Sequence, residues 1–132
     1  MGLNPIVRYM LPCEDISHDS AAPSRVTIHG LLTQIRSLEN PPFPLLCRRL
    51  SVFLILTACR GNGAGRIRCV HEETGKLAFA TPWGELQFGN DPLQLYPVLF
   101  RIQDCPFAYS GIYAIEFWYN DEKVEERPLN LR

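Results

Sequence analysis

Leu50-Ser-Val-Phe-Leu-Ile-Leu-Thr-Ala-Cys59, Arg60-Gly-Asn-Gly-Ala-Gly65 and Arg66-Ile-Arg-Cys-Val-His71 follow one another without a break, and together they decide the fold class. The first stretch is apolar at Val52, Phe53, Leu54, Ile55 and Leu56 in succession, so side chains on both faces must be covered, as in a strand buried on both sides. It is about half the ~20 residues that a membrane-spanning helix needs, and Ser51 and Thr57 interrupt it. A strand over 49–59 is therefore expected to be the most buried element. The glycine and asparagine run after it supplies the positive φ that tight β turns demand and predicts a hairpin. On the return strand, 66–71, alternation puts Ile67, Cys69 and His71 on one face and Arg66, Arg68 and Val70 on the other.

Outward from this pair the apolar residues recur at period two, and no long window carries a 3.6-residue stripe. Strands are predicted over 6–11, 25–35, 77–81, 85–88, 95–103, 111–119 and 124–131. Within 25–35 the phase slips at Gly30, where a bulge would restore it. Pro12 is expected to end the first strand, leaving 13–24 as a polar loop, and Pro97 sets 95–103 at or near a sheet edge. Turns are expected at Glu73-Thr-Gly-Lys76 and Asn120-Asp-Glu122, and Pro41, Pro42 and Pro44 make a stiff connector. The fold class that follows is all-β, an antiparallel β-sandwich of about eight strands with little or no helix, in a single domain over 1–132.

Composition agrees. The chain has 132 residues, 46% hydrophobic and 11% aromatic, which excludes disorder, collagen and coiled coil. Thirteen Lys plus Arg against fourteen Asp plus Glu give a net charge of -1, without the positive field that non-specific nucleic-acid binding needs. Neither nucleic acid nor membrane is an expected partner. Arg8, Pro12, Glu14 and Asp15 break up any apolar signal segment, which predicts a cytoplasmic protein. Cys13, Cys47, Cys59, Cys69 and Cys105 are odd in number and lack Cys-x-x-Cys spacing, so reduced thiols fit better than a disulfide framework or a zinc ribbon.

Several groups bear chemistry in principle. Gly61, Gly63 and Gly65 match a phosphate-cradling loop only in their glycines, because a strand and not a helix follows. Cys69 and His71 share a face and would ligate a metal if Cys59, Cys47 or His29 approached; a core thiol is the simpler reading. Cys13, Glu14, Asp15, His18 and Asp19 bring thiol, acid and base into one predicted loop, where a solvated connector is the competing explanation. Arg66 and Arg68, with Arg60 across the turn, make a local basic patch open to an acidic partner, or else pair with Glu72 or Glu73. Trp83, with Phe107 and Tyr109, makes either an aromatic platform for a sugar or peptide or a plug over the open end of the core. No catalytic or metal residue and no cofactor is assigned.

Tyr9-Met-Leu-Pro-Cys13-Glu-Asp15 with Val26-Thr-Ile-His-Gly30-Leu-Leu, and Gly111-Ile-Tyr113-Ala-Ile-Glu-Phe117 with Glu126-Arg-Pro128-Leu, mark the two ends of the chain. Together they resemble a family of short bacterial proteins known only as a domain of unknown function. The resemblance implies a β-sandwich over nearly the whole chain and supplies no activity. The expected function is a non-catalytic intracellular binding or assembly module, taking a protein partner or a second copy through an edge strand, or using the loop end with Trp83, Phe107 and Tyr109. A small metal- or thiol-dependent enzyme and a carbohydrate-binding module are the alternatives.

Overall fold

Ten strands and no helix make up residues 4–22 and 25–132, the part of the chain that the computed structural model describes. In chain order they are β1 (Ile6–His18), β2 (Val26–Leu31), β3 (Gln34–Ile35), β4 (Leu45–Thr57), β5 (Asn62–His71), β6 (Leu77–Ala80), β7 (Gly84–Gln87), β8 (Tyr96–Phe107), β9 (Gly111–Tyr119) and β10 (Glu122–Leu131). One sheet has the order β2-β1-β4-β8 and is antiparallel throughout. The other runs β3-β10-β9-β5-β6, with β7 also on β5, and only the short β3 lies parallel to its neighbour. No helix of the described residues is long and apolar enough to cross a membrane.

The core lies between the sheets because alternation sends one side of each central strand there. Leu50, Val52, Leu54 and Leu56 of β4 meet Ile67 and Cys69 of β5, Tyr113, Ile115, Phe117 and Tyr119 of β9, and Leu129 and Leu131 of β10. Burying each large apolar side chain contributes roughly 1.5–3 kcal/mol. Tyr96, Val98, Phe100 and Ile102 of β8 pack on the same core from the sheet edge, where Pro97 places no demand on a further partner. The other side of β4 is covered too: Phe53, 5% exposed, joins Cys13 and Ile16 in a second cluster with Val26, Ile55 and Leu99.

Three expectations are corrected. Pro12 does not end the first strand. Its carbonyl accepts the Leu32 N–H at 2.9 Å, and beyond it Asp15, Ile16, Ser17 and His18 pair with His29, Ile28, Thr27 and Val26. The polar character of 13–18 reflects a strand held by a hairpin partner, and residues 23–24 of that expected loop lie outside the described residues. The expected strand over 25–35 is two strands in two sheets; Gly30, at φ +64, precedes the crossing, and a Cβ there would lie 2.8 Å from the Glu14 side chain.

Nor does the run from Arg60 to Gly65 make a hairpin, for β4 and β5 belong to different sheets. Ala58 (φ 58) and Gly61 (φ 67) turn the chain across. Gly63 and Gly65 sit inside β5, where a Cβ would collide with the Tyr119 ring and come within 3.1 Å of Phe117, respectively. The tight turn between β9 and β10 is instead built from Asn120 (φ 48) and Asp121 (φ 68).

One irregularity shapes the surface. On β4, Cys47 packs toward the core and so does Leu50, with Arg48 and Arg49 both exposed between them. Opposite, Cys105 and Ile102 pack inward with Gln103 and Asp104 both exposed, Asp104 at φ 53. Both strands skip one step at the same place, so their register survives while the ladder coils. There β1 leaves β4: its pairing runs from Ile6↔Thr57 to Cys13↔Ser51 and stops, and Ile16 packs against Phe53.

Candidate functional site

Residues 45–50 of β4 consequently pair with β8 alone. Alternate residues of that stretch turn their N–H and C=O groups away from β8. Among the described residues no turn or loop backbone group bonds to them. What lies beside this edge is a cleft. One cavity of about 450 Å³ is lined by Arg36, Leu38, Glu39 and Leu46, and a neighbouring one of about 310 Å³ by Glu14, Leu32 and Arg49; Ile35, Cys47 and Arg48 line both.

Where β1 departs, the fork is pinned. Ser51 Oγ donates to the Glu14 carbonyl at 3.2 Å, and Arg101 Nε reaches Asp15 Oδ1 at 3.1 Å. The Ile16 N–H also donates to Asp15 Oδ1 at 2.8 Å; this bond first, and Arg101 second, holds the Asp15 carboxyl below the usual carboxylate range. Along the cleft, Arg36 and Arg49 form no ion pair among the described residues, and Arg48 has only an exposed contact with Asp104 at 4.0 Å, which contributes little.

The residues singled out from sequence are divided among several places. Arg66 lies over the Trp83 ring at 4.6 Å and Arg68 over Trp118 at 5.3 Å, so rings and not Glu72 or Glu73 hold these guanidinium groups. Trp83 is 39% exposed, with Arg66 on its ring. Tyr109 is exposed at the end of β5 beside Lys76 and His71; His71 is five residues from Arg66, about 17 Å along a strand. Phe107 is a correction: it is fully buried, edge-on to Tyr113 at 5.0 Å, because the skip in β8 turns it inward, and it offers no surface to a ligand. Arg60 stands exposed on the crossing between sheets.

Cys69 and His71 do share the inner face. Burial pushes the Cys69 thiol far up. The Thr74 N–H donates to His71 Nδ1 at 3.2 Å, and Nε2–H donates to the Ser110 carbonyl at 2.9 Å, so both ring nitrogens are occupied. Cys47 and Cys105 are register partners across β4 and β8, and burial holds Cys105 at about 12. His29 bonds Ser17 on the β1–β2 hairpin. Cys13 is buried on the outer cluster, Asp15 is tied to Arg101, and His18 is exposed at the strand end. Among the described residues no group of three or more His, Cys, Asp or Glu is placed to hold a metal ion.

Sequence comparison adds a match to a protein family, whose model spans residues 8–132. The chain belongs to DUF6941, a family of unknown function. Both end stretches quoted above fall inside the matched range, so the DUF6941 match takes in β1 through β10 apart from the first two residues of β1. No curated protein matches. Among solved structures the DUF6941 chain is similar to part of Pseudomonas fluorescens alkylpurine DNA glycosylase AlkC bound to DNA containing an abasic site analog. That likeness has 14% identity and a TM-score of 0.48, and covers 76% of this chain and 28% of the glycosylase chain.

The open stretch of β4 escaped the sequence reading. Its signal was present as two adjacent polar pairs, Arg48-Arg49 and Gln103-Asp104, each interrupting an otherwise alternating strand.

Proposed function

We propose that this protein is a non-catalytic binding module that takes an extended segment of a protein partner onto the open edge of β4 at residues 45–50. The observation that carries the reading is the loss of β1 as a neighbour after Cys13↔Ser51 while β8 continues to Leu45↔Phe107. An added strand gains main-chain hydrogen bonds from such an edge, and pockets beside it receive alternate side chains. The two adjoining cavities supply such pockets. Arg36, Arg48 and Arg49 against Glu14 and Glu39 favour a segment with acidic positions.

Two other stretches open to pairing are less suited. β8 carries Pro97 and Pro106, and β10, which β3 meets only at Asn130 and Leu131, carries the ion pairs Lys123–Glu126 and Arg127–Glu125, devices that blunt strand pairing. The test is selection of binders from displayed eight-residue peptides, followed by amide hydrogen exchange of the full chain with the best of them. Protection confined to residues 45–50, abolished by Leu46→Asp, is the expected result. Protection elsewhere, or binding that Leu46→Asp leaves intact, refutes the reading.

A further inference from the structure

A separate cavity of about 280 Å³ lies on the other side of Pro44 from the cleft, where the β5–β6 turn meets the end of β8. Its floor is His71 and Tyr113, and their polar atoms are spent: His71 on Thr74 and Ser110, and Tyr113 Oη–H on the Tyr109 carbonyl at 2.8 Å. Its walls are Pro44, Leu77, Ala78, Pro106 and Ala108, all apolar. At the mouth, Lys76 Nζ donates to Tyr109 Oη at 3.2 Å and lies 5.3 Å from the centre of the Tyr109 ring.

The balance of donors and acceptors there is one-sided. An ammonium group has three hydrogens to give, and only one is used on Tyr109. No carboxylate lies within ion-pair distance of Lys76 among the described residues. Because the Tyr109 oxygen accepts from Lys76, its own hydrogen is left to donate outward. Two donors, one of them charged, therefore border a largely apolar hollow whose other polar side chains, His71 and Tyr113, are already paired. Such a hollow is complementary to an anionic head on a compact apolar body, since charge-assisted hydrogen bonds fix the head and the walls shed water onto the body. The volume is close to the lower limit of about 300 Å³ for small-molecule sites, which restricts the body to the size of a single ring.

We propose that this cavity is a binding site for a small organic carboxylate, with Lys76 and Tyr109 holding the carboxyl group and Pro44, Leu77 and Pro106 enclosing the apolar part. The site is independent of strand addition at β4; the two share only the Pro44 wall.

Titration of the full chain with benzoate, followed by amide chemical shifts, tests it. Saturable shifts are expected for residues 71–77 and 108–111. Benzamide, of the same shape without the charge, and inorganic phosphate, charged without the apolar body, are each expected to bind about tenfold more weakly or worse, the scale of one charge-assisted hydrogen bond. Lys76→Met should reduce benzoate affinity by a similar factor and Lys76→Arg should keep most of it, with amide shifts elsewhere unchanged to show that the fold persists. Equal affinity for benzoate and benzamide, equal affinity for phosphate, an unaltered Lys76→Met variant, or no saturable shift at all overturns the proposal.

Discussion

Gly111→Ala probes how the end of β5 is fastened to the start of β9. Gly111 has φ +122, a backbone region that L side chains rarely adopt, and its Cβ would lie 2.9 Å from His71 Nε2. Forcing alanine into that backbone costs about 1–3 kcal/mol. Pushing the ring aside also breaks the Nε2–H bond to the Ser110 carbonyl, about 1 kcal/mol. It disturbs as well the edge contact between His71 and Tyr113 at 4.8 Å, about 0.5–1.5 kcal/mol. The expected loss is thus between about 2.5 and 5.5 kcal/mol.

For 132 residues each kcal/mol lowers the melting temperature by about 4 °C, so a fall of roughly 10–20 °C should be seen by circular dichroism. Urea unfolding followed through Trp83 and Trp118 gives the free energies. In a His71→Ala background the ring is gone and only the backbone strain of about 1–3 kcal/mol should remain. Equal costs for Gly111→Ala in the two backgrounds would refute the reasoning, because the substitution would then act without reference to His71.

Two further outcomes are expected. The Asp15 carboxyl is held below its ordinary value, so its stabilising effect is present above the unfolded pKa of about 3.9 and fades as pH falls through the lower folded value; the gap in urea midpoint between the parent chain and Asp15→Asn should hold steady at neutral pH and close in acid, and a gap that widened in acid would contradict the assignment. Phe107→Ala should cost about 3–5 kcal/mol, whereas Trp83→Ala, which loses a stacked arginine, should cost about 0.5–1 kcal/mol; thermal unfolding in the reverse order would contradict the placement of the two rings.

Strands whose inward residues are large and evenly spaced could be read directly from sequence. β9 runs from Gly111 to Tyr119 as alternation predicts, and Ile67, Cys69 and His71 face inward together. The strand 13–18 could not be read in this way, because it is held by β2 across a hairpin and by Ile16 meeting Phe53, a partner distant in sequence. Glycine carried two meanings that composition cannot separate. Gly61 serves by its positive φ, Gly63 and Gly65 by leaving room for Tyr119 and Phe117. The cleft was illegible for a related reason: an edge exists only where a neighbouring strand is missing, which is a property of the pair β1 and β4 and of neither alone. Trp83 was grouped with Phe107 and Tyr109, and Arg66 and Arg68 with Arg60, whereas the fold lays Arg66 on Trp83 and Arg68 on Trp118; Phe107 was read by its place after Pro106 and not by the phase shift that turns it inward.

The placement of β4 also has a consequence for biosynthesis. Its two neighbours come from opposite directions along the chain, β1 before it and β8 some forty residues after its end. A nascent polypeptide emerging from the ribosome would expose Val52 through Leu56, apolar toward both sides, until residue 107 had been added. Truncated products that stop short of β8 should therefore be the species that chaperones retain and that aggregate when they are not retained.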